Sequence, residues 1–124
     1  MEKNVEGIKR MMKKIVLLLI MFMICGCNNS YKTIDKEKSI ELIKDKGAVL
    51  IDVRSIVEYQ EDHIMGAKSY PVTTILNDIE KDYDKDTYII VYCRSGNRSK
   101  TAAQGLIELG YKNVYDLGSI NNWN

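Results

Sequence analysis

Tyr88-Ile89-Ile90-Val91-Tyr92, followed at once by Cys93-Arg94-Ser95-Gly96-Asn97-Arg98-Ser99, decides how this chain folds. The first five residues are an unbroken apolar run of β-branched and aromatic side chains, the pattern of a strand buried on both faces of a parallel sheet. The next seven are small, polar or cationic and lead into a stretch with helical spacing, so they read as a strand-to-helix loop. A helix start presents unpaired N–H groups and a partial positive charge. Arg94 and Arg98 add full charges, and a cysteine at the head of such a loop is favoured as the nucleophilic thiolate. A loop that curls round its own first residue with its N–H groups inward needs a position able to take positive φ, and Gly96 supplies it.

Working outward, Ala48-Val49-Leu50-Ile51-Asp52-Val53 is a second continuous apolar run and ends near an acid, which suits a central parallel strand. Ile40, Leu42 and Ile43 recur among charges before Gly47, predicting a helix over residues 36–46 with a C-terminal glycine cap. The pattern then predicts helices over 56–62, 73–82 and 99–109, and strands over 67–72, 87–92 and 113–117. Strands alternating with helices through short connections imply an α/β three-layer domain, a central mainly parallel sheet flanked by helices. Catalytic groups in such sheets sit at the carboxyl ends of strands, where Asp52-Val53-Arg54 and Cys93 both fall.

Four segments in order carry a family resemblance: Asp52-Val53-Arg54, His63-Ile64-Met65-Gly66-Ala67, the Cys93 to Ser99 loop, and Gly110 to Ile120 with Trp123 behind it. Together, from about residue 34 to 123, they resemble the single-domain rhodaneses, sulfurtransferases that carry a sulfane sulfur as a cysteine persulfide. The resemblance implies a rhodanese-like fold and places catalysis on Cys93. Arg94, Ser95, Gly96, Asn97, Arg98 and Ser99 would form the loop that binds the donor anion and the persulfide, with Ser99 serving either the sulfur or the cap of the following helix. Asp52 and Arg54 are expected to brace neighbouring loops below the pocket, and His63 to lie in a supporting segment rather than act as a base. Tyr111, Tyr115 and Trp123 read as packing groups, one of them a candidate for the pocket mouth. Implied substrates are a small anionic donor such as thiosulfate and a cyanide or thiol acceptor, handled by a monomer without metal or cofactor. The chain departs from the family pattern at Met65 (commonly proline), Asp62 (commonly glycine) and Ser119 (glycine).

Three other readings compete. Tyrosine-phosphatase-like enzymes and arsenate reductases use Cys-x5-Arg, whereas Arg98 makes the spacing Cys-x4-Arg and leaves a loop one residue short for phosphate. A non-catalytic module of this family would typically lack the cysteine. A redox-sensing thiol shares the same exposed-thiolate requirement.

The amino-terminal segment is of another kind. Lys13-Lys14 lead into ten uncharged apolar residues, 15–24, the size of a signal-peptide core and short for a transmembrane helix. Met11 and Met12 are alternative starts. Ile24-Cys25-Gly26-Cys27 resembles a bacterial lipobox with Cys27 as the lipidated residue; a plain signal peptide or an uncleaved anchor are the alternatives. The implied organisation is a signal peptide over 1–26, a lipidated tether over 27–33 and the domain over 34–124, exported to the cell envelope. Cys93 would then be the one free thiol, which excludes an internal disulfide or a Cys-x-x-Cys redox pair. The chain has 18 Lys and Arg against 17 Asp and Glu; removing residues 1–26 leaves 13 against 15. A domain near −2 lacks the basic field that nucleic-acid binding needs.

Overall fold

The computed structural model describes residues 2–25 and 29–124. A long helix α1 (Glu2–Cys25) precedes the domain and encloses the apolar run; its side chains from Ile15 to Leu18 are more than half exposed. Among the described residues no helix is long and apolar enough to cross a membrane. Cys27 lies outside the described residues.

The domain follows as β1 (Lys32–Thr33), α2 (Lys36–Lys46), β2 (Val49–Asp52), α3 (Ile56–Glu61), β3 (Lys68–Ser69), α4 (Ile75–Asp78), β4 (Tyr88–Cys93), α5 (Asn97–Glu108) and β5 (Asn113–Ser119), with 3-10 turns at Ile79–Lys81 and Ile120–Trp123. Five parallel strands form one sheet in the order β1-β5-β4-β2-β3. The α/β three-layer expectation holds, and β4, the strand read first, is central.

Alternation along β4 divides the core. Ile89, Val91 and Cys93 face Ile75, Ile79, Ala102 and Leu106 on the α4–α5 side. Ile90 and Tyr92 face Leu42, Ile64 and Leu117 on the other. Strand side chains alternate faces, so both layers of helices are recruited by one apolar run. The α5 layer sits close: a Cβ on Gly105 would lie 2.9 Å from Leu76 Cδ1, so glycine is what lets α4 approach α5.

The helix over 36–46 forms as predicted, with Asp35 Oδ1 accepting from Lys38 N–H at 2.8 Å and Gly47 in the left-handed region at φ 63°. Other boundaries differ. Lys32 and Thr33, expected in the tether, form an edge strand against Tyr115 and Asp116, so the domain begins ahead of residue 34. The strand over 67–72 narrows to two residues because Pro71 has no N–H to give, although Tyr70 and Val72 still donate to Asp52 and Val53 carbonyls at 3.0 and 2.9 Å. The helix over 73–82 is shorter, α-helical only over Ile75–Asp78 and 3-10 over Ile79–Lys81. Finally, α5 starts at Asn97 rather than Ser99, with Gly96 as its N-cap.

Candidate active site

The carboxyl end of β4 delivers Cys93 to the mouth of α5. Its side chain is fully buried, whereas Arg94 and Ser95 next to it are exposed. Gly96 takes φ 101°, a value side-chain-bearing residues rarely adopt, which directs the chain on into α5 while the Gly96 N–H lies 3.0 Å from Cys93 Sγ. Of the loop N–H groups expected to converge on the sulfur, this one is at hydrogen-bond distance. Ser99 is buried and its hydroxyl donates to Gly96 O at 3.1 Å, so it fixes the turn instead of capping the helix or reaching the sulfur. Ser95 and Asn97 side chains are exposed and make no hydrogen bond among the described residues; the Asn97 carbonyl accepts from the Thr101 hydroxyl.

The two arginines of the loop are not equivalent. Arg98 Nη1 and Nη2 meet Glu58 Oε2 and Oε1 at 2.7 and 3.0 Å, a fork-to-fork ion pair. That hydrogen bond holds the Glu58 carboxyl well down, to about 2, with help from the Ser55 backbone N–H. Arg98 is raised in turn, first by Glu58 and in smaller part by charge on Cys93. Arg94 forms no ion pair among the described residues; its carbonyl accepts from the Ser119 hydroxyl at 2.6 Å. Arg94 borders a cavity of about 570 Å³ with Arg54, Glu58, His63 and Trp123, while Arg98 borders a second of about 780 Å³ with Val53, Ile56 and Val72. Trp123 borders the first of these cavities, neither of which Cys93 lines, and Tyr111 is a packing group whose hydroxyl donates to Tyr83 O at 2.6 Å.

Below the loop, Asp52 and Arg54 form a buried pair at 2.7 Å. Asp52 Oδ2 also accepts from the Tyr92 hydroxyl at 2.9 Å, and that hydroxyl accepts from Ile64 N–H at 3.1 Å. Burial raises the Tyr92 phenol, and its bond to Asp52 adds to this, so it stays protonated and donating. Arg54 is raised chiefly by its hydrogen bond to Asp52, and it also donates to the Asp62 carbonyl. His63 stacks on Tyr59 with centroids 3.8 Å apart and donates from Nδ1 to Tyr59 O at 2.8 Å; no hydrogen bond joins it to Cys93. Met65, at a position commonly proline, points into solvent. No cluster of potential metal ligands occurs among the described residues.

Sequence reading missed Glu58 and Ser119 as members of this site. Ser55-x-x-Glu58 is a capping-box signature and locates Glu58 at a helix start, but nothing local points it at Arg98. Ser119 was visible only as a departure. It stands opposite Cys93 because a bulge at Val91/Tyr92 shifts the β4–β5 register, shaped by Asp116 Oδ1 accepting from Gly118 N–H at 2.8 Å.

Residues 35–124 match the family model described as Rhodanese-like domain. Among curated proteins, the thiosulfate sulfurtransferase GlpE of Coxiella burnetii is 37% identical over 94 residues, covering 75% of this chain and 87% of its own length. Its counterpart in Pseudomonas putida is 32% identical over 96 residues, covering 77% and 86%. Among solved structures, one of rhodanese with anions from E. coli aligns with a TM-score of 0.58 at 33% identity, covering 60% of this chain and 89% of its own. The human single-domain sulfurtransferase aligns at 0.68 and 22% identity, over 76% and 96%, a likeness of fold.

Proposed function

The chain belongs to the family of rhodanese-like domains, and from that membership we propose that it moves a sulfane sulfur from an anionic donor such as thiosulfate to cyanide or a thiol through a Cys93 persulfide. The observation that carries this reading is the Gly96 N–H aimed at Cys93 Sγ at 3.0 Å, at the junction of a central strand and a helix start. A donor N–H fixed beside sulfur favours the anion that attacks and the persulfide anion that follows.

Cys93 thiolate attacks the outer sulfur of thiosulfate, forming the Cys93 S–S bond while the donor S–S bond breaks, and its electron pair leaves with sulfite. The acceptor nucleophile then attacks the terminal persulfide sulfur and returns Cys93 as thiolate. With cyanide as acceptor no proton moves in either step, and a thiol acceptor attacks as its thiolate after giving its proton to solvent, which fits a site whose one histidine is engaged with Tyr59. Arg94, exposed and without an ion-pair partner among the described residues, is suited to draw in the donor; Arg98, held by Glu58, is suited to shape the loop. The same pairing weighs against phosphatase or arsenate reductase chemistry, because the loop is one residue short and its arginine fork faces a carboxylate.

Intact mass after thiosulfate treatment should show one added sulfur, removed by cyanide, and Cys93→Ser should show none and form no thiocyanate. Wild-type activity in Cys93→Ser sinks the mechanism. The lipobox-like Cys27 supports export and anchoring through a lipid. Labelled palmitate should enter the wild type and not Cys27→Ala, and equal labelling of both excludes Cys27 as the acceptor.

A further inference from the structure

Glu58 lies outside every segment that pointed to the loop, yet its carboxylate meets the loop directly. Its place does not depend on Arg98: Ser55 N–H donates to Oε2 at 2.9 Å and Glu58 N–H donates to Ser55 Oγ at 3.2 Å, a capping box that pins the side chain to the start of α3. From there both carboxylate oxygens take the Arg98 fork. The pair is partly covered, with side chains 25% and 37% exposed, so each charge is felt by its neighbours more than a surface charge would be. Arg98 lies in the first turn of α5, directly after the Gly96 N-cap whose N–H meets Cys93 Sγ at 3.0 Å.

We propose that Glu58 is a specificity-determining residue: its carboxylate subtracts one charge from the field at Cys93 Sγ and so sets how strongly anionic rather than uncharged reagents are drawn to the sulfur. Arg94, Arg98 and Glu58 together carry one surplus positive charge, which a single negative charge on the sulfur neutralises. Without Glu58 the loop would hold two free cations. The donor anion would bind more tightly, and the anionic product would leave a site that still attracts it. The function assigned to this balance rests on the sulfur-transfer reading, but the balance itself is a property of three side chains and can be measured without turnover.

The measurement compares alkylation of Cys93 by iodoacetate, an anion, and iodoacetamide, which is uncharged, in the full chain, following the Cys93 peptide by mass spectrometry. The ratio of the two rates cancels the thiolate fraction and most changes in access, leaving the local charge. Glu58→Gln should raise the iodoacetate-to-iodoacetamide ratio roughly two- to five-fold, the size of one partly screened charge. Arg98→Gln should lower it by a similar factor, and the double variant should return to the wild-type ratio, an outcome that a merely structural contact would not produce. An unchanged ratio in Glu58→Gln, or a double variant that stays displaced, overturns the proposal. Should Glu58→Gln not fold, Arg98→Gln decides alone, and a ratio that does not fall overturns it. A chain inert towards thiosulfate would defeat the sulfurtransferase reading and leave these ratios interpretable.

Discussion

Asp52→Asn keeps the outline of a fully buried side chain and removes its charge. The carboxylate accepts from Arg54 backbone N–H at 2.9 Å, from Arg54 Nε at 3.1 Å, from Arg54 Nη2 at 2.7 Å and from the Tyr92 hydroxyl at 2.9 Å. An asparagine amide has one accepting oxygen, so an NH₂ must face at least one of these donors. Arg54 is 7% exposed and tied to the Asp62 carbonyl, and the Tyr92 oxygen is already taken as acceptor by Ile64 N–H. Breaking a buried ion pair from one side costs about 3–5 kcal/mol, against a total of about 5–15 kcal/mol for a small domain. At about 4–8 °C per kcal/mol for a domain of this size, thermal unfolding followed by circular dichroism should move down by roughly 12–40 °C.

The double variant Asp52→Asn/Arg54→Met separates charge from shape. It removes the orphaned guanidinium, so it should be less destabilised than Asp52→Asn alone. A loss below about 1 kcal/mol in Asp52→Asn, or a double variant no better than the single, would refute the view that this pair is held by its charge. Activity should fall before stability does. Arg54 also donates to the Asp62 carbonyl, and loosening it frees the α3 segment whose Glu58 holds Arg98 of the Cys93 loop.

Gly96→Ala places a side chain at φ 101° and should cost about 1–2 kcal/mol with near-complete loss of sulfur transfer; a fully active variant would separate the turn from the chemistry. The cost lies in the backbone, since the added Cβ would meet only Gly118 Cα, at 3.9 Å. Glu58 has its folded value lowered to about 2, so its stabilisation is complete above the unfolded value near 4.3 and is lost as pH falls through the folded one. Between pH 5 and 2 the wild type should therefore lose about 1 kcal/mol more than Glu58→Gln, discounted for the exposure of the pair; parallel stability curves would contradict this. Ser119→Gly, which restores the residue common at this position, removes the bond to the Arg94 carbonyl and should cost about 0.5–1.5 kcal/mol. It should also lower kcat, and an unchanged kcat would mean that the loop holds its shape unaided.

Most of the fold was legible because it is written in local periodicity. β4 and β2 are continuous apolar runs, α2 carries both of its caps in sequence, and the Cys93–Ser99 loop is a contiguous segment. The remainder depends on partners distant in the chain. Lys32 and Thr33 are polar, exposed and too few to show alternation, and they become a strand only because the edge of β5 offers Tyr115 and Asp116. The inequality of Arg94 and Arg98 was equally hidden: both are cations in one loop, and the carboxylate that distinguishes them lies 40 residues away. Ser99 was misplaced for a local reason, since the left-handed Gly96 starts α5 two residues earlier than the apolar pattern does.

The register of one strand pair links folding specificity to the site. β2 and β4 pair with Asp52 beside Tyr92, and in parallel neighbours such partners point to the same face. Slipping β2 by one residue would turn Asp52 toward the α4–α5 layer, among Ile75, Ile79 and Leu106, where no donor takes it. Burying one more apolar side chain in its place could not offset the cost of an unpaired carboxylate, so the Asp52–Tyr92 bond selects the register it sits in. The same register sets where the chain goes after β2. Arg54 turns back onto Asp52, Ser55 caps α3, and Glu58, one turn on, arrives over the first turn of α5. The buried pair and the Glu58–Arg98 fork are therefore two consecutive anchors of one segment. A perturbation at the first should reach the charge balance around Cys93 through the second.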